Sequence, residues 1–272
     1  MENLAMQQIY KRIAEFIENG KEFVIATVVN AESSTSGKIG FKMIIDKNGT
    51  IYGTIGGGLV EKDVIDEAKN IFKTHKSLLK TYVLKEDSES SLGMVCGGSI
   101  QIFIEYIGEK PNYVIFGAGH IAKKLYEIIC LDDTFNIIVC DERPELANTE
   151  NFPKAAVFNK KFKESISEMP LKEGDYIVLV TAGGKDDPYI LKSLFNKGIK
   201  FGYIGMIGSL KRKEKCFTKA KELGLDNGFL DKIFAPIGLD IEAETPFEIA
   251  ISIIAETIAN NKCVSNQKKG FI

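Results

Sequence analysis

Tyr113-Val114-Ile115-Phe116, followed at once by Gly117-Ala118-Gly119-His120-Ile121-Ala122, decides how the second half of this 272-residue chain is read. Four apolar residues predict a buried strand, and the residues from Ile121 to about Leu131 predict a helix. Between them lies the G-x-G-x-x-A pattern of a dinucleotide-binding turn. Its glycines let the backbone approach a pyrophosphate, whose charge meets the free N–H groups of the helix start. Asp141 closes the next predicted strand, Ile137 to Cys140, 24 residues after Gly117. An acid there would accept hydrogen bonds from a ribose diol and repel a 2′-phosphate. The same glycines would also serve tight strand-to-helix packing in a domain that binds nothing, and the pattern alone does not separate the two readings.

Working outward, strands and helices continue to alternate. Further strands are predicted at Ala156 to Phe158, Tyr176 to Val180 and Phe201 to Ile204, and helices at Tyr189 to Asn196, Leu210 to Leu223 and Pro246 to Asn260. Alternation of this kind predicts an α/β, Rossmann-like domain with a parallel sheet covered on both faces. The last helix carries a start signal: Thr245 as N-cap, Pro246 at the first helical position and Glu248 three residues after the cap.

Upstream the chain reads differently, and all seven prolines lie at or after Pro111. An amphipathic helix from Leu4 to Ile17 leads into a buried strand, Phe23 to Val29, and a polar loop, Glu32 to Gly40. A hairpin follows, with Asn48-Gly49 as its turn between Lys42 to Asp46 and Thr50 to Thr54. Then come Gly56-Gly57-Gly58, a helix from Val60 to Lys73, and strands at Leu79 to Leu84 and Ser99 to Ile107. The expected organisation is a smaller α+β domain over residues 1–108 with a mostly antiparallel sheet, a linker at 109–111, the Rossmann-like domain over 112–262, and a tail at 263–272.

Composition narrows the function. Thirty-five basic against 37 acidic residues give a formal net charge of −2, which argues against a nucleic-acid or acidic-membrane binder. No apolar run approaches the ~20 residues that span a bilayer, and Met1-Glu2-Asn3-Leu4 lacks the marks of a secretory leader. Five cysteines without a C-x-x-C pair predict no disulfide framework and a reducing, cytoplasmic setting. Only His75 and His120 are available for any histidine chemistry.

Four further features could carry chemistry. His120 sits at a helix N-terminus, where it could donate to a ligand phosphate, act as a neutral acid–base group, or simply cap a backbone carbonyl. Gly56-Gly57-Gly58 also leads from strand to helix and could form a second anion cradle, with Glu61 near the same ligand, or be a bulged connection. Cys96, beside Gly97-Gly98 in a loop, could be a thiolate, a soft ligand or a sulfur acceptor, although a small buried hydrophobe is the commoner role. Lys211-Arg212-Lys213-Glu214-Lys215 reads most simply as the solvated face of a helix, its one functional hint being that it follows Gly205-Met206-Ile207-Gly208-Ser209, another glycine-bearing strand exit at the edge where such sheets bind ligands.

Five blocks resemble the xanthine dehydrogenase accessory (XdhC/CoxI) family of molybdenum hydroxylase maturation factors. They are Ala26 to Gly40; Gly53 to Gly58 with Glu61; Cys96-Gly97-Gly98; Phe116 to His120 with Asp141-Glu142-Arg143-Pro144-Glu145; and Tyr203 to Ser209 with Pro236 to Asp240 and Glu244 to Pro246. The resemblance implies a factor that binds the molybdenum cofactor, or molybdopterin, and delivers it after sulfuration to a xanthine dehydrogenase-like enzyme. A cysteine desulfurase would supply the sulfur, and a homodimer is expected. It also implies that Arg143, Thr181, Gly205 and Met206 join Gly117, Gly119, His120 and Asp141 around the cofactor, with Cys96 as a contact to its molybdenum and no protein-only metal site. The chain departs from the family pattern twice. Ser36-Gly37 stand where members commonly have Pro-Arg, and Thr181-Ala182-Gly183-Gly184 where they often have Thr-Arg-Gly-His, so an expected anion-binding arginine is missing at each place. The alternatives are an NAD(P)-dependent oxidoreductase, if the chain is an enzyme at all, and a nucleotide-sensing module.

Overall fold

The computed structural model describes residues 2–32, 37–84 and 98–263, which form two compact units, Met1–Glu109 and Lys110–Ile272.

The first unit contains α1 (Glu2–Glu18), β1 (Phe23–Ala31), β2 (Lys42–Asp46), β3 (Ile51–Gly53), α2 (Gly58–Thr74), β4 (Leu78–Leu84) and β5 (Gly98–Ile107). Its sheet has the order β3-β2-β1-β5-β4, with every described pairing antiparallel. β1 is apolar at successive positions because helices cover both faces. Val24, Ala26 and Val28 pack with Val60, Val64, Ala68 and Ile71 of α2, whereas Phe23 and Ile25 pack with Ile9 and Phe16 of α1. Period-two alternation divides one strand between two cores. The hairpin turns as its Asn-Gly sequence predicts: Gly49 has φ 83°, and the Asp46 carboxylate accepts the N–H groups of Asn48 and Thr50 at 2.9 and 2.8 Å. His75 ends α2 in the left-handed conformation, its N–H on Ile71 O, and its ring stacks on Tyr106 at 4.6 Å.

The second unit runs β6 (Asn112–Phe116), α3 (His120–Ile129), β7 (Asn136–Cys140), β8 (Ala156–Phe158), α4 (Phe162–Glu168), β9 (Tyr176–Leu179), α5 (Asp187–Asn196), β10 (Tyr203–Met206), α6 (Leu210–Glu222), α7 (Asn227–Leu230) and α8 (Pro246–Cys263). Its parallel sheet has the order β10-β9-β6-β7-β8. From β6 the chain builds outward through β7 and β8, then returns to add β9 on the other side. The switch point therefore falls between β6 and β9, where open α/β sheets bind ligands. Tyr113 and Ile115 face a core shared with α3 and α8, and Val114 and Phe116 face one shared with α4, α5, α6 and α7.

Three sequence expectations shift. β10 begins at Tyr203 rather than Phe201, because the chain is still turning at Gly202, where a Cβ would lie 2.6 Å from Gly174 O. The short helices α4 and α7 were not expected, since seven and four residues offer too little periodicity to read. α8 continues to Cys263, where the tail was expected to begin; 264–272 lie outside the described residues. Its start is the expected reciprocal cap. Glu248 accepts the Thr245 N–H at 2.9 Å, and Thr245 Oγ1 accepts the Glu248 N–H at 3.3 Å.

Candidate functional site

At the carboxyl ends of β6 and β9 lies a cleft of about 530 Å³, bordered by Gly119, His120, Arg143, Thr181, Ile207 and Arg212 among others. The two glycines of the turn differ in kind. Gly117 has φ 102°, and a Cβ on it would stand 2.6 Å from Val180 O, so glycine is required there by the approach of the two strand exits. Gly119 has an ordinary φ of −78°, and a Cβ on it would meet nothing within 4 Å. The fold places no demand on that glycine. It also precedes α3 as an N-cap without a side-chain cap bond, and the first turn of α3 carries no acid, so the helix start faces the cleft with donors uncapped by any side chain.

His120 opens α3 with its side chain exposed and no carboxylate bonded to it among the described residues, so an acid–base pair is not assembled around it. Asp141 departs from the ribose-acceptor expectation. Its carboxylate is buried and accepts the Ala118 N–H at 2.8 Å and the Arg143 N–H at 3.1 Å. Arg143 also donates through Nε at 2.8 Å and Nη2 at 2.7 Å. Burial alone would raise this carboxyl, but the bonds from Arg143 and Ala118 and the guanidinium charge outweigh it and hold it below its ordinary value. Both oxygens are engaged by the protein. Asp141 thus fixes the glycine turn, and the partly exposed Arg143 guanidinium borders the cleft.

The exit of β9 holds a group that the sequence reading missed. Thr181 donates its hydroxyl to Asp187 Oδ1 at 2.5 Å. Arg212 reaches in from α6 to bond Asp187 Oδ2 at 2.8 Å and Thr181 O and Oγ1 at 3.2 Å each, all through Nη2. Asp187 is fully buried and Arg212 largely so. A Cβ on Gly184 would overlap the guanidinium, and one on Gly208 would lie 2.5 Å from Arg212 Cδ. The two glycines clear the path along which the side chain lies. Thus the arginine absent after Thr181 is matched at the same strand end by one from a distant helix. Arg212 looked like one of several solvated basic residues, and only its place three residues after the cap Ser209 set it apart.

Other expected residues lie elsewhere. Gly205 and Met206 are inside β10, with Met206 buried, and it is the next residue, Ile207, that borders the cleft. The Gly56-Gly57-Gly58 cradle is filled by the chain itself. Glu61 Oε2 accepts Thr54 Oγ1 at 2.6 Å, the Gly57 N–H at 3.1 Å and the Ile55 N–H at 3.2 Å. Three successive positive φ values, 122°, 78° and 70°, explain the three glycines. An outside anion would have to displace Glu61, so this loop is a bulged connection closed by an internal carboxylate. Cys96 and Gly97 lie outside the described residues. Burial pushes the thiols of Cys140 and Cys216 up to about 12, which keeps them protonated. Among the described residues there is no cluster of three or more metal-ligating side chains and no helix long and apolar enough to cross a membrane.

Residues 113–257 match the XdhC Rossmann domain, and residues 16–83 match the XdhC and CoxI family. An uncharacterized protein of Escherichia coli, YqeB, is 29% identical over 92% of this chain, which spans only 46% of that relative's length. A Bacillus subtilis protein described as a probable xanthine dehydrogenase subunit is 25% identical, covering 96% of this chain and 99% of its own. A crystal structure described as a xanthine dehydrogenase from Bacillus halodurans shares the fold at 22% identity and a TM-score of 0.50, covering 94% of this chain and 97% of its own. The glycine turn and Asp141 lie within the matched Rossmann domain, and the chain is a member of the XdhC and CoxI family.

Proposed function

We propose that this chain is an accessory factor for a xanthine dehydrogenase-like enzyme and that its Rossmann cleft holds the phosphate end of the molybdenum cofactor during sulfuration and delivery. The carrying observation is Gly119: a glycine that backbone and packing do not require, set before a helix start without a side-chain cap. A ligand oxygen can occupy the space that any side chain would fill. The name of the Bacillus subtilis relative supports the choice of client.

The residues present fit an anionic group. Lys123, held by Asn151 at 2.8 Å, borders the cleft, as do Arg143 and Arg212, each paired with a buried aspartate, and no carboxylate among the described residues lines it. The N–H groups of α3 would bind the phosphate, Asp141 would keep the turn in place through Ala118, and Arg143 would add charge from the side. When bound, the cofactor would supply the metal and dithiolene centre used by the client. Such a carrier needs binding and release rather than transition-state stabilisation.

The test is anaerobic gel filtration of the full chain with cofactor released from a molybdenum hydroxylase. Molybdenum and pterin should co-elute with the wild type in fixed ratio and separate from Gly119→Val, whose melting temperature should fall by no more than about 5 °C, the loss of a favoured N-cap residue. Lack of co-elution with the wild type refutes the proposal. So does a melting temperature that rises with NAD(H) or NADP(H) and not with the cofactor.

A further inference from the structure

Beside the cleft, on the far side of Arg212, a second concavity of about 490 Å³ lies between the exit of β9 and α6. Five cations border it, Lys185, Lys211, Arg212, Lys215 and Lys219, and no acid among the described residues does. Two of these charges are already balanced: Arg212 by the buried Asp187 at 2.8 Å, and Lys219 by Glu222 at 2.8 Å. Lys185, Lys211 and Lys215 form no ion pair among the described residues. They come from two elements, the loop before α5 and successive turns of α6, yet converge on one hollow. The floor is built as well as charged. Gly183 and Gly184 have φ 73° and 67°, Ser209 caps α6 beside the hollow, and Gly184 lies against the flat guanidinium.

We propose that this hollow is a separate binding site for a terminal diphosphate group. Three unbalanced lysines exceed what a phosphate monoester, with a charge of roughly −1.5 to −2, neutralises. A terminal diphosphate carries about one charge more than that monoester and offers a second phosphoryl group to the lysine on the next turn of α6. The start of α6 adds its dipole in the same sense. The site shares Arg212 with the cleft but does not depend on what the cleft binds.

The test is calorimetric titration of the full chain with inorganic pyrophosphate, ADP, AMP and inorganic phosphate, repeated in Gly119→Val to close the cleft. Pyrophosphate and ADP should bind both proteins, with AMP and phosphate at least tenfold weaker. The double variant Lys211→Gln, Lys215→Gln should weaken pyrophosphate binding at least tenfold in the Gly119→Val background. Both lysines are exposed and unpaired, so its circular-dichroism melt should not move. Raising KCl from 50 to 500 mM should weaken binding further, as screening requires. Equal affinity for AMP and ADP overturns the diphosphate assignment. Pyrophosphate binding that Gly119→Val abolishes and the lysine variant retains overturns the site altogether, while leaving the cofactor reading intact. Cofactor co-elution lost from the wild type with lysine-dependent pyrophosphate binding retained does the reverse.

Discussion

Replacing Arg212 with Met should destabilise the C-terminal unit by about 3–5 kcal/mol, the usual cost of removing one partner from a buried ion pair. The reason is Asp187. Its side chain has no exposed surface, and its partners are the Thr181 hydroxyl and the Arg212 guanidinium. With the arginine gone, a buried carboxylate keeps one hydrogen bond and no counter-charge. The reciprocal change, Asp187→Asn, should cost less, about 1–2 kcal/mol, because Arg212 is a quarter exposed and retains its bonds to Thr181. The double variant should therefore fall short of the sum by about 2 kcal/mol, a coupling within the range for contacting residues. Urea unfolding should be followed by near-ultraviolet circular dichroism. The chain has no tryptophan, and the stacked rings of Tyr113, Tyr176 and Tyr203, with centroids 6.1 Å apart at each step, report on this unit. Arg212→Met should lower its melting temperature by roughly 10 °C. A loss under about 1 kcal/mol, or strict additivity in the cycle, would show that the guanidinium does not neutralise Asp187 and would remove the argument that α6 supplies the cation of this strand end.

The glycine turn gives a paired contrast. Gly117→Ala should cost about 2–5 kcal/mol, because a left-handed residue and a Cβ 2.6 Å from Val180 O add strain to overpacking, whereas Gly119→Ala should cost no more than about 1 kcal/mol, the loss of a favoured N-cap residue; equal losses in a melt would refute the distinction. Asp141 predicts a pH dependence. Its folded carboxyl lies below the ordinary 3.8, so its stabilisation is complete above that value and is lost as pH falls through the folded pKa. The stability gap between wild type and Asp141→Asn should accordingly be constant from pH 5 to 8 and narrow progressively as pH falls below about 4; a gap that widens on acidification would contradict the sign. In the N-terminal unit, Glu61→Ala should cost about 1–3 kcal/mol, since three donors lose a charged acceptor, and hydrogen exchange should quicken at Ile55 and Gly57; unchanged protection there would mean that water already serves these groups.

Most of the strand and helix pattern could be read from the chain because each local signal had one physical solution. Asn48-Gly49 permits the tight turn, Thr245-Pro246 with Glu248 permits one helix start, and the uninterrupted apolar run at β6 demands cover on both faces. The site was harder to read, for a reason visible at each residue. Asp141 stands where a ribose acceptor stands, and only the path of Arg143, two residues later, shows that its oxygens are engaged. Gly56 to Gly58 look like a cradle, and only the helix geometry brings Glu61 round to fill it. Arg212 is one cation in a run of four, and 31 residues separate it from the Thr181 it bonds. In each case the pattern names a residue type fit for an anion, while the competing partner is fixed by tertiary folding. Charge counting along the sequence therefore misplaces binding sites in both directions, counting Asp141 and Gly57 as free and Arg212 as solvated. A glycine that neither φ nor packing requires is a sharper indicator, since an N-cap position such as that of Gly119 would accept Ser, Thr, Asp or Asn equally well. By that measure Gly117 is held by the fold and Gly119 is not, although both are simply glycines of one pattern.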